Sequence, residues 1–522
     1  MQNLPKLSFI TPLVWACLLS LSQAQPGRPN ILIYIADDIS YPHLSAYGCE
    51  WVETPGFDRV AEEGLLFEAA YTPNPKCAPS RACLLTGRNS WQLEAAVNHF
   101  CYFPAKFQTF MEALHNQGYA VGYTGKGWAP GDPGVLDGKP RQLTGPAFQS
   151  AKLTPPTSAI SAIDYAGNFA SFLQQKPEEI PFCFWYGSNE PHRAYEFRSG
   201  VEKGGKSLRQ IPRVPSYWPD VDTVRHDMLD YAMEIEHADQ HFVRILDQLE
   251  AAGMLENTLI IAVADHGMPF PRVKGQPYEA SNHIPLAIRF GKQIQQAGRS
   301  ITHLVSMVDL APTILEAAGV RETATQMAPI TGHSLFPLFT DTAAAPIRNF
   351  MLVGKERHDV GRPHDWGYPI RGIQMDSLLY IYNFEPDRWP VGNPEVGYLN
   401  CDGSPTKSWL IYHYADSQSY PLWLMNLGKR PVEELYDLRK DPDCIDNLAK
   451  HPAYALLKTQ LQSQMMSTLR EEGDWRMFGR GEDYEKFPYA GIRKDYYNRW
   501  KRGENPPVPG WFKETDIHLI EK

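Results

Sequence analysis

Short apolar runs alternate with amphipathic stretches through the first two thirds of the chain, a pattern typical of strands that alternate with helices. The run NILIYIA at Asn30–Ala36 is almost continuously apolar and rich in isoleucine, which predicts a strand buried on both faces. Similar runs predict strands at 120–123, 181–186, 258–264 and 285–289. Helical periodicity predicts helices at 55–67, 107–117, 165–175, 225–252 and 310–318. This order predicts an α/β fold in which a large, mainly parallel sheet lies between helices.

The pattern changes in the last third of the chain, where short strand-like runs such as 377–382 lie among many prolines, glycines and aromatic residues. A helical pattern follows at 454–470, and the tail from Gly473 onward has little periodicity. We therefore predict a main α/β domain at 25–345 and a smaller C-terminal α+β subdomain at 346–522, whose tail wraps the surface.

The N-terminal segment 1–24 has the pattern of an export signal. Lys6 precedes an apolar run at 9–21, and small residues follow at 22–24, where signal peptidase would cleave. Cys17 leaves a lipoprotein site open as the less favoured interpretation. No later stretch reaches the roughly 20 apolar residues of a membrane span. We expect a periplasmic or secreted protein without a membrane span.

The composition indicates a globular enzyme rather than a protein that binds polyanions. With 522 residues, 43% of them hydrophobic, the chain can bury a large core. The formal net charge of −10 argues against binding nucleic acid or a sulfated glycan by general charge attraction. An anionic substrate would therefore have to meet a local basic pocket.

The cysteine count is odd once the predicted signal is removed. The remaining cysteines are Cys49, Cys77, Cys83, Cys101, Cys183, Cys401 and Cys444. Disulfides are expected in exported proteins and use cysteines in pairs, so at least one of these residues is unpaired or chemically altered. The sequence leaves the pairing open.

Polar clusters directly follow four of the predicted strands. They are Asp37-Asp38, Gly125-Lys126, the segment 189–193 and Asp265-His266. Ligands in parallel α/β folds bind beyond the carboxyl ends of the strands, which lie at one edge of the sheet. We therefore expect these clusters to form one site.

The most specific motif is Cys77-Ala78-Pro79-Ser80-Arg81, which Thr86-Gly87 follows. It matches the signature of type I, formylglycine-dependent sulfatases, and from about residue 29 to 447 the chain resembles this family of the alkaline phosphatase superfamily. The resemblance implies an alkaline phosphatase-like α/β sandwich. Segments such as 98–100 and 268–271 are most similar to heparan N-sulfatase-like (N-sulfoglucosamine sulfohydrolase-like) members.

The resemblance implies a sulfuric ester hydrolase whose nucleophile is formylglycine, made from Cys77 by a formylglycine-generating or anaerobic sulfatase-maturing enzyme. One hydroxyl of its hydrate would attack sulfur, and the other would then lose its proton and expel sulfate. Arg81 would hold the nucleophile region, and Lys126 and Lys274 would bind sulfate. His192 would protonate the leaving oxygen or nitrogen.

The resemblance also implies one calcium ion, with ligands from Asp37, Asp38, Cys77, Asp265 and His266. Buried carboxylates are costly without a cation, and calcium prefers oxygen ligands. Adjacent strand residues point to opposite faces, so both aspartates reach one site only if the strand ends there. His266 stands where the common family pattern Asp-Asn-Gly has asparagine.

A second departure is Trp128, which stands where many sulfatases have a histidine. Either another histidine supports the nucleophile, with His99 as the candidate, or the site works without one. The resemblance places the polar segment 355–364 beside the substrate, although a surface salt-bridge loop is the alternative. The predicted sugar-binding residues are His99, Arg193, Arg357 and His358.

We therefore predict a sulfatase that releases O- or N-linked sulfate from a polysaccharide-derived oligosaccharide. Trp128 and His266 keep open a non-catalytic glycan-binding protein on a sulfatase scaffold. A phosphatase or phosphodiesterase of the same superfamily is the other alternative, although such enzymes generally use serine or threonine with two zinc ions. The sequence leaves open the sugar, the sulfate position, exo or endo action, and the oligomeric state.

Overall fold

The computed structural model describes residues 27–136, 138–510 and 512–517. The predicted signal at 1–24 and Cys17 lie outside the described residues. The strands are β1 Asn30–Ala36, β2 Leu65–Tyr71, β3 Cys101–Tyr102, β4 Ala120–Gly125, β5 Gly131–Asp132, β6 Val135–Leu136, β7 Lys139–Pro140, β8 Phe182–Gly187, β9 Thr258–Ala264, β10 His283–Arg289, β11 Arg299–Ile301, β12 Val305–Ser306, β13 Phe350–Lys355, β14 Ile370–Met375, β15 Leu378–Asn383 and β16 Glu433–Asp437. The helices are α1 Pro55–Glu62, α2 Cys77–Thr86, α3 Phe110–Asn116, α4 Tyr165–Gln175, α5 Ser199–Glu202, α6 Asp222–Ala251, α7 Glu279–Asn282, α8 Leu310–Ala317, α9 Phe336–Thr340, α10 Pro405–Tyr412, α11 Tyr420–Leu427, α12 Ala455–Glu471 and α13 Tyr496–Lys501.

The large sheet has the strand order β11-β2-β10-β9-β1-β8-β4, and β12 also pairs with β2. At its centre β1 runs parallel to both β8 and β9, and β4 runs parallel to β8. Strand β10 is antiparallel to its two neighbours. The mainly parallel α/β fold predicted from the sequence is therefore confirmed.

Helices lie on both faces of this sheet, as the alternation of side chains along β8 shows. The hydroxyl of Tyr186 donates to the carbonyl of Ala238 on α6 at 2.8 Å. Three positions earlier, and so on the opposite face, Cys183 contacts Met111 of α3 through their sulfur atoms at 3.2 Å. Strands β8 and β9 are fully buried because helices cover both faces of the sheet.

The prediction of one helix at 55–67 was wrong. Helix α1 ends at Glu62, and β2 begins at Leu65, where it pairs with β10. A Cβ atom at Gly64 would lie 2.1 Å from the carbonyl oxygen of Ile288, so the chain approaches β10 too closely for any other residue. Strand pairing in the sheet outweighs the local helix preference of leucine, glutamate and alanine in this segment.

The second sheet is antiparallel, with the order β13-β14-β15-β16, and carries helix α12 on one face. Tyr380 of β15 shares a small hydrophobic core with Leu461, Met465 and Leu469 of that helix. This C-terminal antiparallel sheet agrees with the predicted character of the region, whereas the exact domain limits stay predictions.

Two further features concern the described residues. All seven cysteines that they contain are free thiols. None of their helices combines the length and the apolar character needed to cross a bilayer.

Candidate active site

The polar clusters meet at the carboxyl edge of the large sheet, as predicted. Strands β1, β4, β8 and β9 are parallel and adjacent in the sheet, and one of the clusters lies at or within two residues of the end of each strand. The Nζ atom of Lys126, which follows β4, lies 2.5 Å from Oδ2 of Asp37, which follows β1. His192 and these two residues line one cavity of about 340 Å³. This cavity is therefore the candidate active site.

Asp37 and Asp38 both reach the site because β1 ends at Ala36, directly before them. The backbone of Asp38 has a φ of 80°, a left-handed conformation that turns the chain out of the strand. Its amide donates to Oδ1 of Asp265, which follows β9, at 3.0 Å. The turn lets two consecutive carboxylates serve one site, as the sequence analysis required.

Cys77 is the first residue of helix α2, and its side chain is buried. Its Sγ atom lies 3.3 Å from Nε2 of His266. Burial raises the pKa of the thiol, but Lys126, Lys274, His266 and a hydrogen bond from His192 outweigh burial and hold the pKa well below its usual value. A nucleophile at this position therefore lies in strongly electropositive surroundings.

Arg81 ties the helix that carries Cys77 to the ends of the strands. Its fully buried guanidinium donates to Oδ2 of Asp265 at 2.9 Å and lies 3.3 Å from Oδ1 of Asp37. It also donates to the backbone carbonyls of Lys126 and Gly127, at 2.8 and 3.0 Å. With its donors engaged by protein oxygens, Arg81 positions the site as the resemblance implied.

Lys274 lies on the other side of the cluster. Its Nζ atom is 2.6 Å from Oδ2 of Asp38 and 2.9 Å from Oδ2 of Asp402. Burial raises the pKa of Asp402, but Lys274 and Lys76 outweigh burial and lower it. Asp402 and Lys76 were missed in the sequence analysis. Asp402 lies in an irregular segment that follows no strand, and Lys76 is adjacent to the signature without being part of it.

The donor set could hold a divalent cation. Asp37, Cys77, Asp265 and His266 each offer one ligand atom, and the four atoms lie within 4.8 Å of one another. Oδ1 of Asp38 is buried, accepts no hydrogen bond within the described residues, and is 2.9 Å from Nε2 of His266. Three buried carboxylates close together, one of them with an oxygen that accepts no hydrogen bond, are an arrangement that a cation stabilises. The five predicted ligands are thus brought together.

His192 has partners suited to an acid–base role. Its Nδ1 lies 2.6 Å from the backbone carbonyl oxygen of Arg193, which leaves Nε2 for other partners. Burial and Lys274 lower the pKa of His192, but Asp38, a hydrogen bond with Cys77 and Asp37 together raise it above its usual value. A raised pKa favours the protonated form that can donate to a leaving group.

Arg193 makes a bidentate ion pair with Asp227 of α6, at 2.6 and 2.9 Å, and both side chains are buried. It lines the cavity, but its charge is already paired. Its predicted contact with the sugar stays a prediction.

The segment 355–359 is more buried than predicted. Arg357 and His358 are only 2% and 1% exposed. The guanidinium of Arg357 donates to the carbonyls of Phe487 and Pro488, at 2.8 and 3.2 Å, and Nε2 of His358 lies 2.9 Å from Oδ1 of Asn74. The surface-loop alternative is therefore wrong, because the C-terminal segment packs over Arg357. Sugar binding by these two residues gains no support from their contacts.

The histidines beside Cys77 in the structure are His266 and His192 rather than His99. Nδ1 of His99 lies 3.5 Å from Oδ2 of Asp359, and Lys76 is 3.1 Å from the same oxygen. Trp128 is buried and donates from Nε1 to the carbonyl of Ala78 at 3.0 Å. The tryptophan thus braces the first turn of α2, which carries the nucleophile.

We expect Trp128→Phe to lower the free energy of unfolding by about 1 kcal/mol, because it removes a buried hydrogen bond and keeps an aromatic ring. Denaturant unfolding measures this difference. Trp366→Phe is the control, because Trp366 is 39% exposed. An equal loss in both variants, or none in Trp128→Phe, would contradict a bracing role for Trp128.

The sheet and the acid, lysine and cysteine cluster at its carboxyl edge define a hydrolase of the alkaline phosphatase-like fold. A family profile described as sulfatase matches residues 29–320, and the chain belongs to the sulfatase family.

Two relatives and one solved structure illustrate the similarity. The chain is 27% identical over 487 residues to N-sulphoglucosamine sulphohydrolase of Homo sapiens, covering 87% of this chain and 92% of that protein. It is 25% identical over 488 residues to an ulvan-active sulfatase of Formosa agariphila, covering 86% and 76%. The structure of a protein with its substrate D-glucosamine-2-N,6-O-disulfate superposes with a TM-score of 0.58 at 21% identity, covering 86% of this chain and 99% of that chain. This last similarity concerns the fold.

Proposed function

We propose that the protein hydrolyses sulfate from a sulfated carbohydrate, with residue 77 as the nucleophile. The observation that carries this proposal is the position of Cys77, at the start of α2 and within a cluster of basic groups. Sulfate is an anion, and fixed cations beside the attacking atom stabilise the charge that develops on its oxygens. Because the protein is acidic overall, an anionic substrate needs a local basic pocket, and these groups provide one.

The signature around Cys77 supports conversion of this residue to formylglycine by a maturation enzyme. Formylglycine supplies a hydrated aldehyde as the oxygen nucleophile. The side chains of the protein hold the nucleophile in place and supply the positive charge around it. Arg81 fixes α2 against the strand ends, and Lys126 and Lys274 attract the sulfuryl oxygens. His192 holds the proton that the departing oxygen or nitrogen needs.

We propose calcium as the bound cation, held by Asp37, Asp38 and Asp265 with residue 77 and His266. Calcium supplies positive charge that offsets the carboxylates and polarises the oxygens bound to it. The three carboxylates support calcium over softer metals, because hard cations prefer oxygen.

The relatives support a carbohydrate as the substrate, since their names specify N-sulfoglucosamine and ulvan. A sulfated polysaccharide fragment is therefore the substrate class that we propose. The apolar segment at 9–21 supports export to the periplasm or the exterior, where such polymers are met.

Sulfate release from a panel of sulfated glycans tests this function. The panel contains N-sulfoglucosamine, glucosamine 6-sulfate and ulvan oligosaccharides, and mass spectrometry first verifies formylglycine at position 77. Release that is lost in Cys77→Ala supports the proposal, and the sugar that responds separates N- from O-sulfatase. Glycan binding by matured protein without any release would instead support a non-catalytic glycan-binding protein.

A further inference from the structure

Glu234 of helix α6 lines the same cavity as Lys126 and His192, and no catalytic role above involves it. Its side chain is buried, and its Oε1 atom has no hydrogen-bond partner within the described residues. We propose that Glu234 is a specificity-determining residue that binds a hydroxyl group of the sugar carrying the sulfate. This inference rests on the proposed function and assigns a sugar contact within its site.

The acidic neighbours of Glu234 are satisfied by the protein, whereas Glu234 is not. Glu190 accepts from the amide of Ser161 and from the hydroxyl of Tyr165, both at 2.8 Å. Asp230 accepts from the amides of Arg198 and Gly200, also both at 2.8 Å. The protein thus completes these two carboxyl groups, including Glu190, which also lines the cavity, and leaves Oε1 of Glu234 without a protein partner among the described residues.

The basic neighbour is also engaged. The guanidinium of Arg193 is held by both carboxylate oxygens of Asp227 and by the carbonyl of Pro269. Arg193 therefore acts on Glu234 through its charge alone and donates no hydrogen bond to it among the described contacts. A buried carboxyl group without a partner destabilises a fold, and such groups persist where function requires them.

An uncharged hydroxyl group suits the protonation state of Glu234. Burial raises the pKa of Glu234 well above its usual value, Glu190 and Asp230 raise it further, and Arg193 opposes them. A neutral carboxyl group both donates and accepts a hydrogen bond, which matches a sugar hydroxyl. Close to the anionic sulfate, a neutral acid also avoids the repulsion that a carboxylate would cause.

The cavity therefore has two chemically different parts. Lys126 and His192 belong to the cluster around Cys77, where the sulfate must lie for attack. Glu234 lines the cavity without belonging to that cluster, so it is available to the rest of the sugar. A small aryl sulfate offers the cationic cluster the same anion but has no sugar hydroxyl for Glu234.

Steady-state kinetics on matured protein test this inference, with N-sulfoglucosamine, glucosamine 6-sulfate and 4-nitrophenyl sulfate as substrates. We expect Glu234→Leu to reduce kcat/KM for the responding sugar by about tenfold or more, chiefly through KM, because a polar contact is lost. The loss on the aryl sulfate should be at least several-fold smaller. Glu234→Gln, whose amide still donates and accepts, should recover most of the sugar activity.

Glu250→Gln is the matched control, because Glu250 lies on the same helix with a 61% exposed side chain. Thermal unfolding should give Glu234→Leu a midpoint equal to or above that of the wild type, since an unpartnered buried acid is removed. Equal losses on both kinds of substrate, no loss on the sugar, or a lowered midpoint with parallel losses would overturn the role.

Binding of the same two sugars to the Cys77→Ala protein separates this inference from the proposed function. Weaker binding after Glu234→Leu supports the sugar contact even if the wild type releases no sulfate, an outcome that would overturn the proposed function alone. Unchanged binding overturns the contact while sulfate release by the wild type still stands. Absence of both binding and release overturns both.

Discussion

We expect Cys77→Ala to reduce the rate of sulfate release by at least about 10⁴-fold. Alanine keeps the start of α2 but offers no atom that can attack sulfur. The surrounding cations still bind the anion, so substrate binding should persist while turnover is lost. Single-turnover sulfate release, with protein in excess over the glycan, measures this separation directly.

Cys83→Ala is the control for this variant, since Cys83 lies on the same helix and is equally buried. Burial raises the pKa of its thiol well above the usual value, so Cys83 lacks the electropositive surroundings of Cys77. We expect Cys83→Ala to keep sulfate release within a few-fold of the wild type. Activity in Cys77→Ala within about tenfold of the wild type would contradict a covalent role for residue 77.

Chelation of divalent metal should lower both sulfate release and the midpoint of thermal unfolding. Without a cation, the buried carboxylates of Asp37, Asp38 and Asp265 repel one another, and the basic groups around them, which are Arg81, the two lysines and His266, offset this repulsion only in part. Metal at 100 times its dissociation constant adds about 2.7 kcal/mol to the free energy of unfolding. Scanning calorimetry in EGTA, and again after calcium is restored, measures this difference independently of catalysis.

His266→Asn tests the identity of the metal. Asparagine offers an oxygen atom where histidine offers nitrogen, and calcium prefers oxygen. We therefore expect calcium to raise the midpoint of thermal unfolding of His266→Asn, as it should for the wild type. A response to zinc but not to calcium in the wild type, or an unfolding midpoint unaffected by EGTA, would contradict a calcium site.

The chemistry of the site was largely predictable, because most of its residues follow a strand or belong to the signature and Lys274 follows from the family resemblance. Asp37, Lys126 and Asp265 meet because parallel strands end at one edge, a consequence of the predicted α/β order. Asp402 and Glu234 carry no such signal. One lies in an irregular segment and the other in the middle of a long helix, where an acidic residue is usually solvated.

Predictions from the local sequence pattern were also wrong at positions where tertiary contacts determine the secondary structure or the burial of a side chain. Leu65–Tyr71 carries residues compatible with a helix, and pairing with β10 on one side and with β11 and β12 on the other makes it a strand. Arg357 is charged and therefore looks available to a ligand, but the carbonyls of the C-terminal segment bind its guanidinium.

The sequence by itself determined the α/β class, the signature at Cys77 and the acids and lysines that follow the strands. These features are local or periodic along the chain, so they are visible without coordinates. Only the tertiary structure decided which histidines lie beside Cys77, which aspartates pair with Lys274, and which carboxyl group in the cavity lacks a partner among the described residues. These depend on contacts between residues far apart in the chain, because burial and hydrogen bonding arise only when the elements pack together.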